Sequence, residues 1–330
     1  MQLSILIPVF NVAAYLPDLL QDLLPNLPID TEVIFYDDAS PDNSIAIIEK
    51  FLLSYPFNSV RILRGSKNIG LTRAREQLLQ ASSANYVWFV DSDDKINASV
   101  LSEIFRILVK NQPDVIMFDY DVFFDESNQR KHRENLSFSP KDTLVHTSGA
   151  NIYRTAIIDG RHYFWNKIFN RKLIENSISF DIPAFEDIAY TPVLLSKCQS
   201  FYYFSQVVVH YRIRKDSIAQ KVSLQQAYGI KAYIEQAQYA EKIINDSKCR
   251  AYLLYKACIY YYRINKKISE ITISSSHKGE LTRLAQLFYA EKNISEVEVV
   301  RLLCNQRMYS KALKLFFCVI FFKVKNKLVG

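Results

Sequence analysis

Glycine is scarce in this 330-residue chain. Seven are present, and none falls in a G-x-G-x-x-G or a P-loop. The glycine-rich cradles that hold dinucleotides and ATP are therefore excluded. Cysteine is scarce too: Cys198, Cys249, Cys258, Cys304 and Cys318 are odd in number, widely spaced and free of any C-x-x-C. That pattern argues against a disulfide frame or a zinc site and for reduced thiols in a cytosolic setting. The N-terminus has no basic stretch before its short apolar run, which Pro8 and Asn11 interrupt, so no signal peptide is expected.

What is present is ordinary globular composition, 49% hydrophobic and 23% charged, which excludes disorder as the starting assumption. The length suits one large α/β domain with a smaller appendage, or two modest domains. Tyrosine and phenylalanine number 21 each, enough to fill a core or to line a groove that stacks sugars. The formal charge of +7 is gathered at one end. Arg307, Lys311, Lys314, Lys323, Lys325 and Lys327 have no acidic residue among them from 305 onward. A charge confined to a tail does not make a nucleic-acid groove, and no nucleic-acid partner is expected.

Apolar runs at Leu3–Val9, Glu32–Tyr36, Val60–Leu63, Tyr86–Val90 and Val115–Tyr120 read as buried strands. Helical patterns lie between them at Tyr15–Leu24, from Ser40 to about Leu53, at Thr72–Gln80, and from the cap Asn97 to about Lys110. This alternation predicts a Rossmann-like, mainly parallel α/β sheet flanked by helices. Gln129–Asn135 is polar and charged and reads as a mobile loop, and Leu224–Cys304 reads as a helical extension. In open α/β sheets ligands bind beyond the carboxyl ends of the strands. Asn11, Asp37, Asp38, Asp91 and Asp93 all follow strands directly.

Asp91-Ser92-Asp93-Asp94 carries the most chemistry. In a locally extended chain, residues two apart face one side, so Asp91 and Asp93 can converge on one Mg²⁺ or Mn²⁺ shared with substrate phosphates. An isolated pair of this kind is otherwise a solvated turn; its place after a buried strand favours the metal. Arg212 and Arg214 suit diphosphate oxygens, or form one solvated face of a strand. His210 is a further metal ligand or a structural histidine. Trp165 stacks on a sugar or packs in the core.

Four pieces in this order resemble the inverting GT-A glycosyltransferases of family 2: Ile7-Pro8-Val9-Phe10-Asn11, Asp37 to Ser44, Asn68 to Arg75, and Val90 to Asp94. Trp165-Asn166-Lys167, Phe185-Glu186-Asp187-Ile188, and Tyr211 to Arg214 followed by Ser217 extend the resemblance to bacterial members that build lipopolysaccharide, capsule or other surface polysaccharides. The resemblance implies a GT-A fold and a metal-dependent transfer, with Mn²⁺ or Mg²⁺, from a nucleotide sugar, UDP-linked by expectation. It implies that Pro8, Phe10 and Asn11 frame the nucleobase and that Asp38 accepts from a base N–H. Asp91 would lie near the ribose and Asp93 on the metal. Arg75 would brace the pocket, unless it is an exposed helix arginine. Asp187 would be the base that deprotonates the acceptor hydroxyl, with Glu186 orienting it. Without the resemblance, Glu186-Asp187 reads as an acidic helix start favoured by the dipole.

The expected organisation is a catalytic domain over 1–220, with its nucleotide-sugar half at 1–120 and its acceptor half at 121–220. A helical extension follows at 221–304, and a basic, apolar tail at 305–330. In that tail Leu315–Phe322 is continuously apolar and flanked by lysines. It is far shorter than the roughly 20 residues of a spanning helix. It fits an anionic membrane surface, the alternative being a helix docked on the protein. The function expected is an inverting glycosyltransferase at the cytoplasmic face of a bacterial inner membrane, acting on a lipid-linked glycan. The alternatives are an inactive sugar-nucleotide-binding protein and a sugar-nucleotide pyrophosphorylase, the latter disfavoured by the lack of a glycine-rich basic N-terminal loop.

Overall fold

The computed structural model describes residues 1–54, 59–125, 129–175, 181–214, 223–270 and 275–329, without the side chains of 275–276 and 323–329. Ser217, Lys323, Lys325 and Lys327 thus lie, wholly or by their side chains, outside the described residues. The chain divides into two compact units. The first is Met1–Thr155, Arg161–Asp181 and Val193–Lys215; the second is Ala156–Gly160, Ile182–Pro192 and Asp216–Gly330.

The strands of the first unit are β1 (Leu3–Val9), β2 (Thr31–Asp37), β3 (Val60–Arg64), β4 (Tyr86–Phe89), β5 (Lys95–Ile96), β6 (Val115–Phe124), β7 (Arg130–Glu134), β8 (Leu144–His146), β9 (Lys167–Asn170) and β10 (Ser200–Ile213). They form one sheet in the order β3-β2-β1-β4-β9-β6-β10-β5, with β7 on β6 and β8 on β10. β3, β2, β1 and β4 are mutually parallel, as are β6 and β10. β1 is buried at every position, as a strand covered on both faces must be. The first unit also contains α1 (Leu16–Leu23), α2 (Ser44–Ser54), α3 (Leu71–Ala81), α4 (Leu101–Asn111) and α6 (Arg171–Glu175), while α5 (Gly149–Asp159) and α7 (Glu186–Lys197) are each divided between the two units. Helix α1 buries Leu16, Leu19, Leu20 and Leu23, an i, i+3, i+4, i+7 stripe. Each such side chain contributes about 1.5–3 kcal/mol. Asn97 caps as expected, accepting from the Ser99 backbone N–H at the short turn that leads into α4.

The antiparallel strands escaped the sequence reading. β7 is the clearest correction: the segment expected as a mobile loop pairs antiparallel with β6. Its charges are held by Arg130 to Asp121 and Arg133 to the fully buried Asp119, both at 2.8 Å. An edge strand can be wholly polar on its outer face, so periodicity gave no signal.

The second unit is helical. It contains α8 (Gln225–Lys242), α9 (Ser247–Glu270), α10 (Ser275–Ala290), α11 (Glu296–Asn305) and α12 (Tyr309–Val329), matching the helical extension read from the sequence. Ser295 and Glu298 form a capping box at the start of α11. Helix α12 packs on α9 and α11, burying Ala312 and Leu315. Its other side leaves Tyr309, Leu313, Phe316, Phe317, Ile320 and Phe321 between 43% and 70% exposed. The tail is therefore a helix docked within the second unit, as the alternative reading expected, with an uncovered apolar stripe on its other side. No helix among the described residues is long and apolar enough to cross a membrane.

Candidate active site

Because β2, β1 and β4 are adjacent and parallel, the segments that follow them emerge at one edge of the sheet. The first two are sewn together. Asp38 N–H donates to Val9 O at 2.9 Å, Ser40 Oγ donates to Val9 O at 3.3 Å, and Asn11 N–H donates to Ser40 Oγ at 3.4 Å. Asp42 accepts from Ala13 N–H at 2.8 Å and from the Ser44 hydroxyl at 2.5 Å. This places the helix start at Ser44, beyond the Ser40-Pro41 expected from sequence. Pro8 is buried within β1, whereas Phe10, immediately beyond the strand, is 44% exposed and Asn11 is exposed beside it.

Asp38 is 3% exposed, and its two carboxylate oxygens accept from Ile69 N–H at 2.7 Å and Gly70 N–H at 2.9 Å. It thus anchors the loop that enters α3. Gly70 sits at φ +85° with nothing near its missing Cβ. The requirement for glycine there is conformational, not steric. Gly65 is held by crowding instead, since a Cβ would stand 2.8 Å from the Tyr36 hydroxyl and 3.0 Å from Asp37 O.

Arg75, on α3, is only 2% exposed, which removes the exposed-helix alternative. Its guanidinium donates to Asp91 Oδ1 at 2.7 Å and lies 5.9 Å from the Phe89 ring centroid and 5.6 Å from that of Phe164. Asp91 through Asp94 form a turn, closed by Asp94 N–H to Asp91 O at 3.2 Å, and not the extended segment expected. Burial still alternates: Asp91 and Asp93 are partly exposed, Ser92 and Asp94 buried. Partial burial pushes the Asp93 carboxyl above its ordinary range against the pull of Arg214, and the charge of Asp91 adds to the rise. Asp94 is pushed up much further, by full burial and then by Asp93 and Asp91. One of its oxygens accepts from Arg212 N–H at 2.8 Å, and the other has no hydrogen bond among the described residues.

Two residues of β10 hold this turn from the other side. Arg212 is buried, and its three nitrogens donate at 2.7 Å to Asp93 O, Asp125 Oδ1 and Asp18 Oδ2. Its guanidinium lies 5.0 Å from the Tyr15 ring centroid and 4.9 Å from that of Phe123. Arg214 Nε forms an ion pair with Asp93 Oδ2 at 2.7 Å. His210 lies on the same strand, its Nδ1 3.5 Å from Asp121 Oδ2; burial lowers its pKa despite that carboxylate. Trp165 is 5% exposed within the core, stacked parallel to Tyr163 and Tyr211 with centroids 5.0 and 5.4 Å away. Behind it, the fully buried Lys167 ammonium donates to Arg161 O, Tyr163 O and Asn166 Oδ1 at 2.6–2.9 Å.

Sequence reasoning missed Asp18, Asp125, Tyr15 and the stacking of Tyr163 and Tyr211 on Trp165. Only Asp94 carried a visible signal, as the last residue of the acidic run.

The acidic pair belongs to the second unit. Glu186 is buried and Asp187 half-buried in the first turn of α7. Phe185, just before them, adopts φ +62°, a conformation that costs about 1–3 kcal/mol for a non-glycine residue. The turn is held inside that unit by Ile182 N–H on the Tyr190 hydroxyl at 3.1 Å, Gln236 Nε2 on Ala189 O at 2.6 Å, and the Phe185 ring against Tyr260. Asp187 is close enough to Tyr260 to help raise that phenol's pKa, after burial and against Arg263.

The carboxylates of Asp91 and Asp93 fit a divalent cation by donor type. Hard oxygens on partly exposed side chains suit Mg²⁺ or Mn²⁺ completed by phosphate oxygens. The Asp93 and Asp94 carboxyls are raised first by burial and only then by neighbouring carboxylates, and a cation would offset that second contribution. Among the described residues no three His, Cys, Asp or Glu side chains form a ready-made cage.

A sheet of this order with an acidic turn and a basic strand at its carboxyl edge agrees with the GT-A, nucleotide-sugar-dependent glycosyltransferase class that the comparisons show. Residues 4–177 match the family description "Glycosyl transferase family 2", and the chain belongs to that family. It is 25% identical over 309 residues to the cholesterol galactosyltransferase of Borreliella burgdorferi, covering 91% of this chain and 83% of that one. It is also 25% identical over 244 residues to the processive diacylglycerol beta-glycosyltransferase of Mycoplasma pneumoniae, covering 70% of each. Among solved structures, S. aureus TarS 1–349 superposes with a TM-score of 0.66 at 18% identity, over 96% of this chain and 89% of that one. TarS 1–349 in complex with UDP-GlcNAc gives 0.62 at 19%, with the same coverage. The mannosyltransferase PcManGT of Pyrobaculum calidifontis, in complex with GDP-Man and Mn²⁺, gives 0.51 at 14%, over 97% and 86%.

Proposed function

We propose that this chain transfers a sugar, with inversion, from a UDP-linked donor to a hydroxyl of a lipid-linked glycan or glycolipid of the lipopolysaccharide or capsule kind. The observation that carries the reading is the carboxyl edge of β1, β2 and β4. There an exposed Phe10 and Asn11 stand beside a braced acidic turn. Phe10, Asn11 and the buried Pro8 frame the base, and Asp38 holds the pocket through Ile69 and Gly70. The UDP-sugar complex of TarS and the lipid substrates named for two relatives support the donor and acceptor classes.

Asp93 and Asp91 would hold Mn²⁺ or Mg²⁺, which when bound neutralises the departing diphosphate; the PcManGT complex supports the choice of ion. The acceptor oxygen bonds to the anomeric carbon as the bond from that carbon to the diphosphate oxygen breaks. Asp187 takes the acceptor proton, and UDP leaves with the electron pair. Glu186 orients the base. Arg214 turns its charge to the diphosphate while Arg212 keeps the acidic turn in place. Trp165 acts on the acceptor side through Tyr163 and Tyr211. Catalysis occupies 1–220, the helical extension 221–304, and the tail 305–330 rests on the cytoplasmic face of the inner membrane.

The test is UDP release from a panel of nucleotide sugars, with and without a glycolipid acceptor, beside donor calorimetry. Asp187→Asn is expected to keep donor binding and to lose about 100- to 10,000-fold in single-turnover transfer, the range for removal of a general base. Transfer at the wild-type rate by that variant would remove Asp187 from the chemistry. Absence of UDP release from every donor would overturn the function.

A further inference from the structure

Helices α9, α10 and α12 of the second unit enclose a cavity of about 690 Å³, within the roughly 300–1,000 Å³ of small-molecule sites. One wall is aromatic: the Phe322 ring lies 4.9 Å from Tyr262 and 6.4 Å from Tyr261. Arg263, Lys266 and Lys314 also line the cavity, and among the described residues no carboxylate does. All three cations are exposed. Among the described residues only Lys266 of the three has a counter-charge, a loose 3.9 Å pair with Glu270. Three like charges around one opening repel each other, and an anion with phosphate oxygens would relieve them. The cations can hold phosphate oxygens, and the aromatic wall adds apolar surface that a free phosphate would leave unused, so the cavity suits a molecule with an anionic head and an apolar chain. Phe321 joins the cavity to the membrane-facing surface: it lines the cavity and belongs, 70% exposed, to the apolar stripe of α12.

We infer that this cavity binds one anionic lipid, its phosphate at Arg263, Lys266 and Lys314 and its chain along Phe321 and Phe322. The inference rests on the reading of α12 as a membrane-facing helix and is independent of the sugar-transfer site. It makes the second unit a sensor of surface composition: the lipid fastens α12 to α9 and α10 only where anionic lipid is present.

Cysteine footprinting on the full chain tests it. Cys318 lines the cavity, and Cys304, half-buried like it on α11, does not. Monomeric dihexanoyl phosphatidylglycerol is expected to slow maleimide labelling of Cys318 about tenfold at about ten times its dissociation constant, leaving Cys304 unchanged. Dihexanoyl phosphatidylcholine and inorganic phosphate should give no protection. Gln286→Glu places a carboxylate in the lining at an exposed position, and Arg263→Gln with Lys314→Gln removes two cations. Each should abolish protection at an unchanged melting temperature. Equal protection by the zwitterionic lipid, protection by phosphate alone, protection of both cysteines, or no protection by any probe would each overturn the inference. The last result would turn the cavity over to a protein segment. UDP release on a soluble acceptor, scored on Gln286→Glu, keeps the failure of this site distinct from failure of the transferase reading. Flotation of wild-type protein with anionic vesicles does the same for the membrane reading.

Discussion

The sheet edge of the first unit and the exposed side of α12 treat charge in opposite ways. At the sheet edge cations are matched: Arg75 with Asp91, Arg214 with Asp93, and Arg212 with Asp18 and Asp125. On α12 and the facing turn of α9, Lys314 and Arg263 have no carboxylate within ion-pair distance among the described residues, and large apolar side chains are left bare. A site that must hold reacting atoms to within an ångström needs pre-fixed groups. A surface that meets a fluid, anionic partner gains from charges whose counterions the partner supplies. On the proposed reading, matched charges go with the transfer site and unmatched ones with the membrane-facing side.

The comparison breaks most sharply at Asp93. Asp93→Ala removes the carboxylate proposed to hold the metal and frees Arg214, and transfer should fall by at least about 100-fold with donor-independent stability intact. Chelation of the divalent ion should bring the wild type to the same level. Metal-independent turnover at the wild-type rate by the variant would refute the role.

Arg212→Ala strikes the bracing alone. It strands Asp18 and Asp125 and empties a cation site between Tyr15 and Phe123. Breaking a buried pair costs about 3–5 kcal/mol, and the lower end applies because Asp18 and Asp125 keep solvent access. Thermal denaturation should show the loss. A wild-type melting temperature would mean that the clamp is dispensable.

On α12, Phe317→Ser and Ile320→Ser alter the uncovered stripe without touching Ala312 or Leu315. Each should weaken binding to anionic vesicles by about 1 kcal/mol, part of the value for full burial of such a side chain, at constant stability. Leu315→Ala, on the docked side, should instead cost about 2–5 kcal/mol of stability. If both faces respond alike in flotation and melting, α12 has no docking side.

The smallest effect tests matched charge at the opposite, amino edge of the same sheet. Burial would raise the Glu32 carboxyl, but bonds from Ser83 N–H, the Ser4 hydroxyl and Arg61 lower it below the usual glutamate range. A depressed folded-state pKa stabilises above the unfolded value of about 4.3. That contribution fades as pH falls through the lower folded value. Glu32→Gln should therefore cost about 1–2 kcal/mol at neutral pH, and its denaturation midpoint should converge on wild type in acid. A gap independent of pH would assign the effect to packing.

Legibility followed distance along the chain. The parallel strands announced themselves as short apolar runs, and Asp91 and Asp93 as acids directly after one of them. β7 was hidden because an all-polar edge strand has no hydrophobic period. The burial of Arg75 was hidden because α3 alone does not reveal Phe89 and Phe164. Leu315–Phe322 is apolar at every position, so no pattern in it could say which face docks and which stays bare.

By itself the sequence determined the alternation of the parallel strands and helices over about the first 120 residues, the sheet edge to which the acidic residues are delivered, and the family to which they belong. These follow from neighbours in the chain, through burial periodicity and the turn each strand must make. Only the tertiary structure decided what those residues touch. Arg212 finds Asp18 across 194 positions and Asp125 across 87. Asp38 spends its oxygens on Ile69 and Gly70, and α12 buries one side while leaving the other open. Such partners are selected by three-dimensional packing and by the cost of leaving a buried charge unpaired, and neither quantity is written in local sequence.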